Sequence, residues 1–130
     1  MLFEQVHTQP DPYAPFLISQ AIKTNGLVFV SGQAAIGDDG QLVGVGDFDK
    51  QADQAFRNLE RVLKASGSGL DRVVKVTIYL TSMSNFNKIV ELRRKWWSQP
   101  YPADTIVEVS SLYSSDAMIE IDAIALTDSN

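Results

Sequence analysis

Apolar residues recur every three or four positions in two stretches of the chain and fall in runs of strand length elsewhere. Over Asp49–Ser66, residues Ala52, Ala55, Phe56, Leu59, Val62 and Leu63 line one side, with Lys50, Arg57, Glu60, Arg61 and Lys64 opposite. That spacing predicts an amphipathic core helix, capped by Asp47 or Asp49 and ended by Gly67 in a left-handed conformation. Asn85–Trp97 repeats the pattern with Phe86, Ile89, Val90, Arg93, Trp96 and Trp97. Its paired tryptophans read as core or interface anchors.

The shorter apolar runs predict strands. Phe3–Val6 is a short one, followed by the proline-dense loop QPDPYAP. Phe16–Thr24 and Leu27–Gln33 flank Asn25-Gly26, a dipeptide that favours positive φ and marks a hairpin. Gln41–Val45 reads as a short strand or extended arm after the turn Asp38-Asp39-Gly40. In Arg72–Leu80, alternation puts Val74, Val76, Ile78 and Leu80 on one face and Val73, Lys75, Thr77 and Tyr79 on the other. Thr105–Val109 follows the break Pro100-Tyr101-Pro102, and Met118–Leu126 closes the chain. The order is βββαβαββ, an α+β arrangement. Two helices cover one face of six strands and no more, while Leu27–Val30 and Arg72–Leu80 carry apolar residues toward both faces. The uncovered face then predicts a homo-oligomer.

Length sets this as a single domain, 1–130, of ordinary globular composition with 45% apolar residues. No apolar run spans a bilayer and no signal peptide is read at the start, which makes the cytoplasm the expected location. Cysteine is absent, which excludes thiolate catalysis and thiolate-bound zinc. The net charge of −5 repels phosphate backbones, so nucleic acid is not the expected partner. Arg93-Arg94-Lys95 reads as a solvated helix face. The lone histidine, His7, reads as a surface residue and no metal or cofactor is expected.

Two places carry candidate chemistry. The strand LVFVSGQ ends in Ser31-Gly32-Gln33, where a hydroxyl and a residue without Cβ follow a hydrophobic run. That pattern makes either a bulge or a pocket floor approached closely by a ligand. In the last strand Glu120 and Asp122 project from one face while Ile119, Ile121, Ala123 and Ala125 form the other. Buried carboxylates there need donors or a raised pKa; exposed ones are an ordinary solvent face.

The series SQAI (Ser19–Ile22), LVFVSGQ, QADQAFRNLERVLKASG, VVKVTIYLTSM (Val73–Met83), PYPADT (Pro100–Thr105) and IEIDAIAL (Ile119–Leu126) resembles the Rid/YjgF family over Phe16 to the C-terminus. This is the reactive intermediate/imine deaminase family, also called the liver perchloric-acid-soluble protein family. The resemblance implies a chorismate-mutase-like fold, a mixed sheet with two helices on one face, and a homotrimer with pockets at subunit interfaces. It also implies hydrolysis of imines and enamines such as 2-aminoacrylate, with Ser31-Gly32 as pocket floor and Glu120 orienting the attacking water.

Four positions depart from the family's pattern. Asp104 stands where active members have an arginine that grips the substrate carboxylate, Ile18 where they have a tyrosine, Val90 an asparagine and Ile106 a frequent cysteine. The expected pocket joins Asp104 and Glu120 without a compensating arginine, repels carboxylates, and takes a cationic or neutral small molecule. The expected function is an imine or enamine hydrolase with an altered pocket. The alternative is a non-catalytic ligand-binding or chaperone-like trimer. An endoribonuclease reading fits poorly with the acidic balance and the lone histidine.

Overall fold

A computed structural model describes residues 2–128. Its elements are β1 (Glu4–Val6), β2 (Ala21–Thr24), β3 (Leu27–Gln33), α1 (Phe48–Ala65), β4 (Val73–Leu80), α2 (Phe86–Trp96), β5 (Ala103–Glu108) and β6 (Ile119–Leu126). The six strands form one mixed sheet in the order β1-β2-β3-β6-β4-β5, parallel only between β4 and β5. The parallel pair follows from connectivity: α2 carries the chain back across the sheet before β5 begins.

Asn25 and Gly26 both adopt positive φ, at 53° and 77°, and join β2 to β3 as the hairpin signal predicts. The Asp47 side chain accepts from the Lys50 N–H at 3.1 Å and fixes the start of α1, and Gly67 has φ 76° just past its end. Asp47→Ala is expected to cost about 1 kcal/mol, read as a lower denaturation midpoint at unchanged m-value. An unchanged midpoint would show that the cap is dispensable.

The core lies between the helices and one sheet face. Phe56, Leu59 and Leu63 of α1 and Ile89 of α2 meet Val28, Val76, Ile78, Leu80, Ile119 and Ile121, all fully buried. Phe56 stacks on Trp96 with ring centroids 5.4 Å apart and meets Trp97 edge-on at 5.3 Å, so the tryptophans tie α2 to α1.

Three expectations are corrected. Strand geometry does not begin at Phe16: Ala14–Phe16 is a 3-10 turn and Leu17 is left-handed with φ 61°, so β2 starts only at Ala21. The Gln41–Val45 segment makes a single bridge, Ile36 to Leu42, rather than a strand. In β4 the register shifts between Val73 and Lys75, so Val73 is buried and Val74 is 42% exposed. One extra residue turns the side chains before it to the other face. The open face of β4 therefore shows Lys75, Thr77 and Tyr79, and the exposed large apolar residues within the six strands are Phe29, Val74 and Leu126.

Candidate functional site

The register of β3 against β6 breaks between Val30 and Gln33, and Ser31-Gly32 occupies the break. The glycine matters here for space, not for φ. A Cβ on Gly32 would stand 2.7 Å from Glu120 Cδ and closer still to its Oε2, so any side chain would displace the Glu120 carboxylate. Ser31 is tied to the preceding loop. Its N–H donates to the Gln20 carbonyl at 3.0 Å and its hydroxyl to the Ser19 carbonyl at 2.6 Å. With that proton committed, Ser31 Oγ meets a ligand as an acceptor.

Behind this floor, the Tyr13 hydroxyl donates to the Gly32 carbonyl and accepts from the Ala34 N–H at 3.4 Å. Burial pushes the Tyr13 phenol up to about 12, so it stays a donor at neutral pH and pins the bulge. Gln33 Nε2 donates to Gln20 Oε1 at 3.2 Å, and Gln20 Nε2 to Thr8 Oγ1 at 3.0 Å, which satisfies the buried amides beneath.

Above the floor opens a cavity of about 510 Å³ lined by Phe16, Ile18, Ala34, Ile36 and Tyr113 in addition to Tyr13, Ser31, Gly32 and Glu120. Among the described residues its walls carry no lysine, arginine or histidine. Glu120 is half-buried, and among the described residues no donor reaches its carboxylate. Burial, with Asp122 next to it on the same face, raises its pKa above the ordinary glutamate value. Asp122 has a donor of its own, accepting from the Tyr79 hydroxyl at 2.9 Å. Among the described residues no group of three or more His, Asp or Glu is placed to hold a metal ion, and His7 is exposed.

Of the residues singled out in the sequence, Ser31, Gly32, Ile18 and Glu120 share this cavity, whereas Asp104, Val90 and Ile106 do not. Register explains the split. Asp104 pairs with Val76, whose side chain faces the helices, while Glu120 pairs with Tyr79 on the open face. Within one chain the two carboxylates lie on opposite sides of the sheet.

The expectation of an uncompensated Asp104 is also corrected. Arg93 Nε donates to Asp104 Oδ2 at 2.7 Å, with the two side chains 24% and 16% exposed. Arg93 thus turns inward from the basic cluster, while Arg94 and Lys95 stay on the surface beside Glu91 and Asp53. Asp104 Oδ1 is buried without a hydrogen-bond partner among the described residues.

Sequence reasoning missed Tyr13, Phe16 and Tyr113. Tyr13 and Tyr113 are aromatic residues in proline-rich or polar loops with no periodicity to place them, and Phe16 reads in the sequence as the start of a strand when it ends a 3-10 turn. The available signal was the cost of leaving such rings in water without a purpose. Tyr113 is held by an anchored loop: Gln51 of α1, fully buried, donates to the Asp116 carbonyl at 2.9 Å and to the Gly44 carbonyl at 3.1 Å. Its Oε1 accepts from the Met118 N–H at 2.8 Å.

An α+β sheet with two helices on one face and a ligand-sized pocket on the other, floored by a Ser-Gly bulge, defines a class of small ligand-handling domains. A family model described as Endoribonuclease L-PSP matches residues 6–127. RutC family protein PH0854 of Pyrococcus horikoshii is 39% identical over 116 residues, which are 89% of this chain and 90% of that one. A protein named 2-iminobutanoate/2-iminopropanoate deaminase from Dermatophagoides farinae is 32% identical over 117 residues, 90% of this chain and 89% of its own. The solved structure of YyfA, a Rid-family protein of Yersinia pestis, superposes with a TM-score of 0.89 at 35% identity over 96% of this chain and 99% of that one. The chain belongs to the Rid/YjgF family, which includes proteins named as imine deaminases.

Proposed function

We propose that the protein hydrolyses an imine or enamine that lacks the carboxylate of 2-aminoacrylate, with Glu120 positioning the attacking water. The observation that carries this reading is the Glu120 carboxylate: unpaired, half-buried and open to an apolar cavity without a cation on its walls. A general base needs an acceptor within reach of water and gains from a raised pKa; Glu120 faces the open cavity, and burial raises its pKa. Gly32 holds it close, and the ligand lies on the Ser31-Gly32 floor. Binding without turnover is the competing reading, favoured by the apolar side chains Ile18, Val90 and Ile106 where the family resemblance implies polar ones.

The test is hydrolysis of 2-aminoacrylate beside hydrolysis of preformed imines without a carboxylate. Turnover of 2-aminoacrylate is expected to be ~100-fold or more below that of the preferred imine, the scale of losing a charge-assisted bidentate grip in the transition state. Robust 2-aminoacrylate turnover would overturn the reading. Stabilisation by ligands with no hydrolysis of any imine would replace it with the binding reading. Because Glu120 acts as its carboxylate and its pKa is raised, activity should climb with pH above the ordinary glutamate range and then level off. Glu120→Gln should abolish that limb.

The site is proposed to be completed in a homotrimer. The open side of the cavity exposes Phe16 at 67% and Ile18 at 46%, and Phe29 and Leu126 extend apolar surface along the sheet. A neighbour would bring its β5–α2 side, with Asp104, Val90 and Ile106, against this opening. Asp104 would arrive already paired with Arg93, and so would add no net cation. Light scattering is expected to give three times 14.3 kDa; a monodisperse monomer at micromolar concentration would end the proposal.

A further inference from the structure

We infer that the cavity is selective for organic cations, an ammonium or iminium group seated on the Glu120 carboxylate with its apolar substituent against Phe16 and Tyr113. This rests on the reading of the cavity as the ligand site, and it adds the charge of the ligand and the residues that select it. Three observations converge. Among the described residues of one chain the only formal charge on the walls is that of Glu120, and nothing neutralises it. Asp122, the next side chain on that face, adds negative potential, while its own contact with Tyr79 leaves it turned to β4. The remaining walls are aromatic or aliphatic: Tyr13, Phe16 and Tyr113 with Ile18, Ala34 and Ile36.

A carboxylate among aromatic faces suits a cation twice over. It gains a charge-assisted hydrogen bond and the attraction of ring quadrupoles, both strengthened where water is partly excluded. An anion gains neither and meets repulsion. Tyr13 is committed to the Gly32 carbonyl, so its contribution is fixed. Tyr113 and Phe16 are 54% and 67% exposed, and among the described residues no side-chain hydrogen bond fixes either ring, so these rings form the open part of the wall. Tyr113 and Glu120 line the same cavity, and burial first, then the Glu120 charge, pushes the Tyr113 phenol upward. Tyr113 is thus assigned as a specificity-determining residue.

The probes are three compounds of matched shape: phenethylammonium, phenethyl alcohol and phenylacetate, titrated calorimetrically into the full chain at neutral pH. The cation is expected to bind at least ~10-fold more tightly than the alcohol, the scale of one charge-assisted contact, and phenylacetate not measurably. Glu120→Gln should bring the cation and the alcohol to equal affinity. Tyr113→Ala should weaken the cation several-fold, and Tyr113→Phe should retain its affinity, because the ring face and not the hydroxyl is required. Lower pH should weaken the cation as Glu120 protonates, with Asp122, Tyr79, Tyr13 and Tyr113 the other titratable groups around it. Phenylacetate binding as tightly as the cation would overturn the inference. So would a cation-to-alcohol ratio unaltered in Glu120→Gln, or unaltered cation affinity in Tyr113→Ala. Failure here is separable from failure of the hydrolytic reading. Cation binding without imine turnover sinks only hydrolysis, and turnover with no preference for the cation sinks only this inference.

Discussion

Gly32→Ala is expected to leave the protein folded while lowering imine turnover by about 10²-fold, the scale attached to misplacing a catalytic group by an ångström. The new methyl would overlap the Glu120 carboxylate, with Glu120 Cδ only 2.7 Å from the ideal Cβ. Those atoms are the end of a flexible side chain and not backbone, so Glu120 swings aside and the sheet stays in place. Gly32 has no left-handed φ to lose, and alanine suits a strand at least as well as glycine. Stability should therefore change by no more than about 1 kcal/mol. Stopped assays and denaturant melts on the same preparation separate the two effects. Wild-type turnover in the variant would show that the position of Glu120 does not matter. A collapsed melt would show that the bulge is held more rigidly than its contacts indicate.

The second large effect concerns the Arg93–Asp104 pair. Arg93→Ala is expected to cost about 2 kcal/mol, short of the ~3–5 of a fully buried pair because the side chains keep 24% and 16% exposure. The cost comes from the orphaned carboxylate, whose Oδ1 already lacks a partner. Replacing both members, Arg93→Met with Asp104→Leu, should recover most of the loss, since apolar packing substitutes for an ion pair at little penalty. Asp104→Arg should instead set two guanidiniums side by side and destabilise the α2–β5 contact. A double-mutant cycle in denaturant measures the coupling directly. A loss below about 0.5 kcal/mol in Arg93→Ala would mark the pair as no more than a surface contact.

Periodicity made much of this fold legible before the structure. The apolar face of β6, the stripe along α1 and the Asn25-Gly26 turn follow from spacing and φ preference alone. Val74 did not, because a bulge is a single extra residue whose presence depends on the pairing of β4 with β6. Arg93 did not, because a residue at the border of a helical stripe faces in or out according to what the facing strand offers, and Asp104 offered a carboxylate. Half of the pocket was readable: the resemblance placed Ser31, Gly32 and Glu120, and the structure brings them together. The aromatic wall was not readable. Tyr13 and Tyr113 lie in loops where no pattern encodes position, Phe16 sits in an apolar run that reads as strand and turns instead, and the three meet only when the chain closes.

The Gln51 clamp has a consequence for how this protein diversifies. One fully buried amide holds the end of the Tyr113 loop at the Asp116 carbonyl and the Met118 N–H, from the same helix whose Asn58 donates to the carbonyls of the wall residues Ala34 and Ile36. Residues ahead of that anchor pack little against the core, so mutations there escape the stability penalty that constrains the sheet. Glu120 and the bulge, by contrast, are locked to the strands. Selection can thus exchange the aromatic wall of the cavity while the Glu120 strand beneath it is inherited unchanged. On such a scaffold new preferences arise by drift in a tethered loop, and descendants with different appetites keep a common ancestor's chemistry.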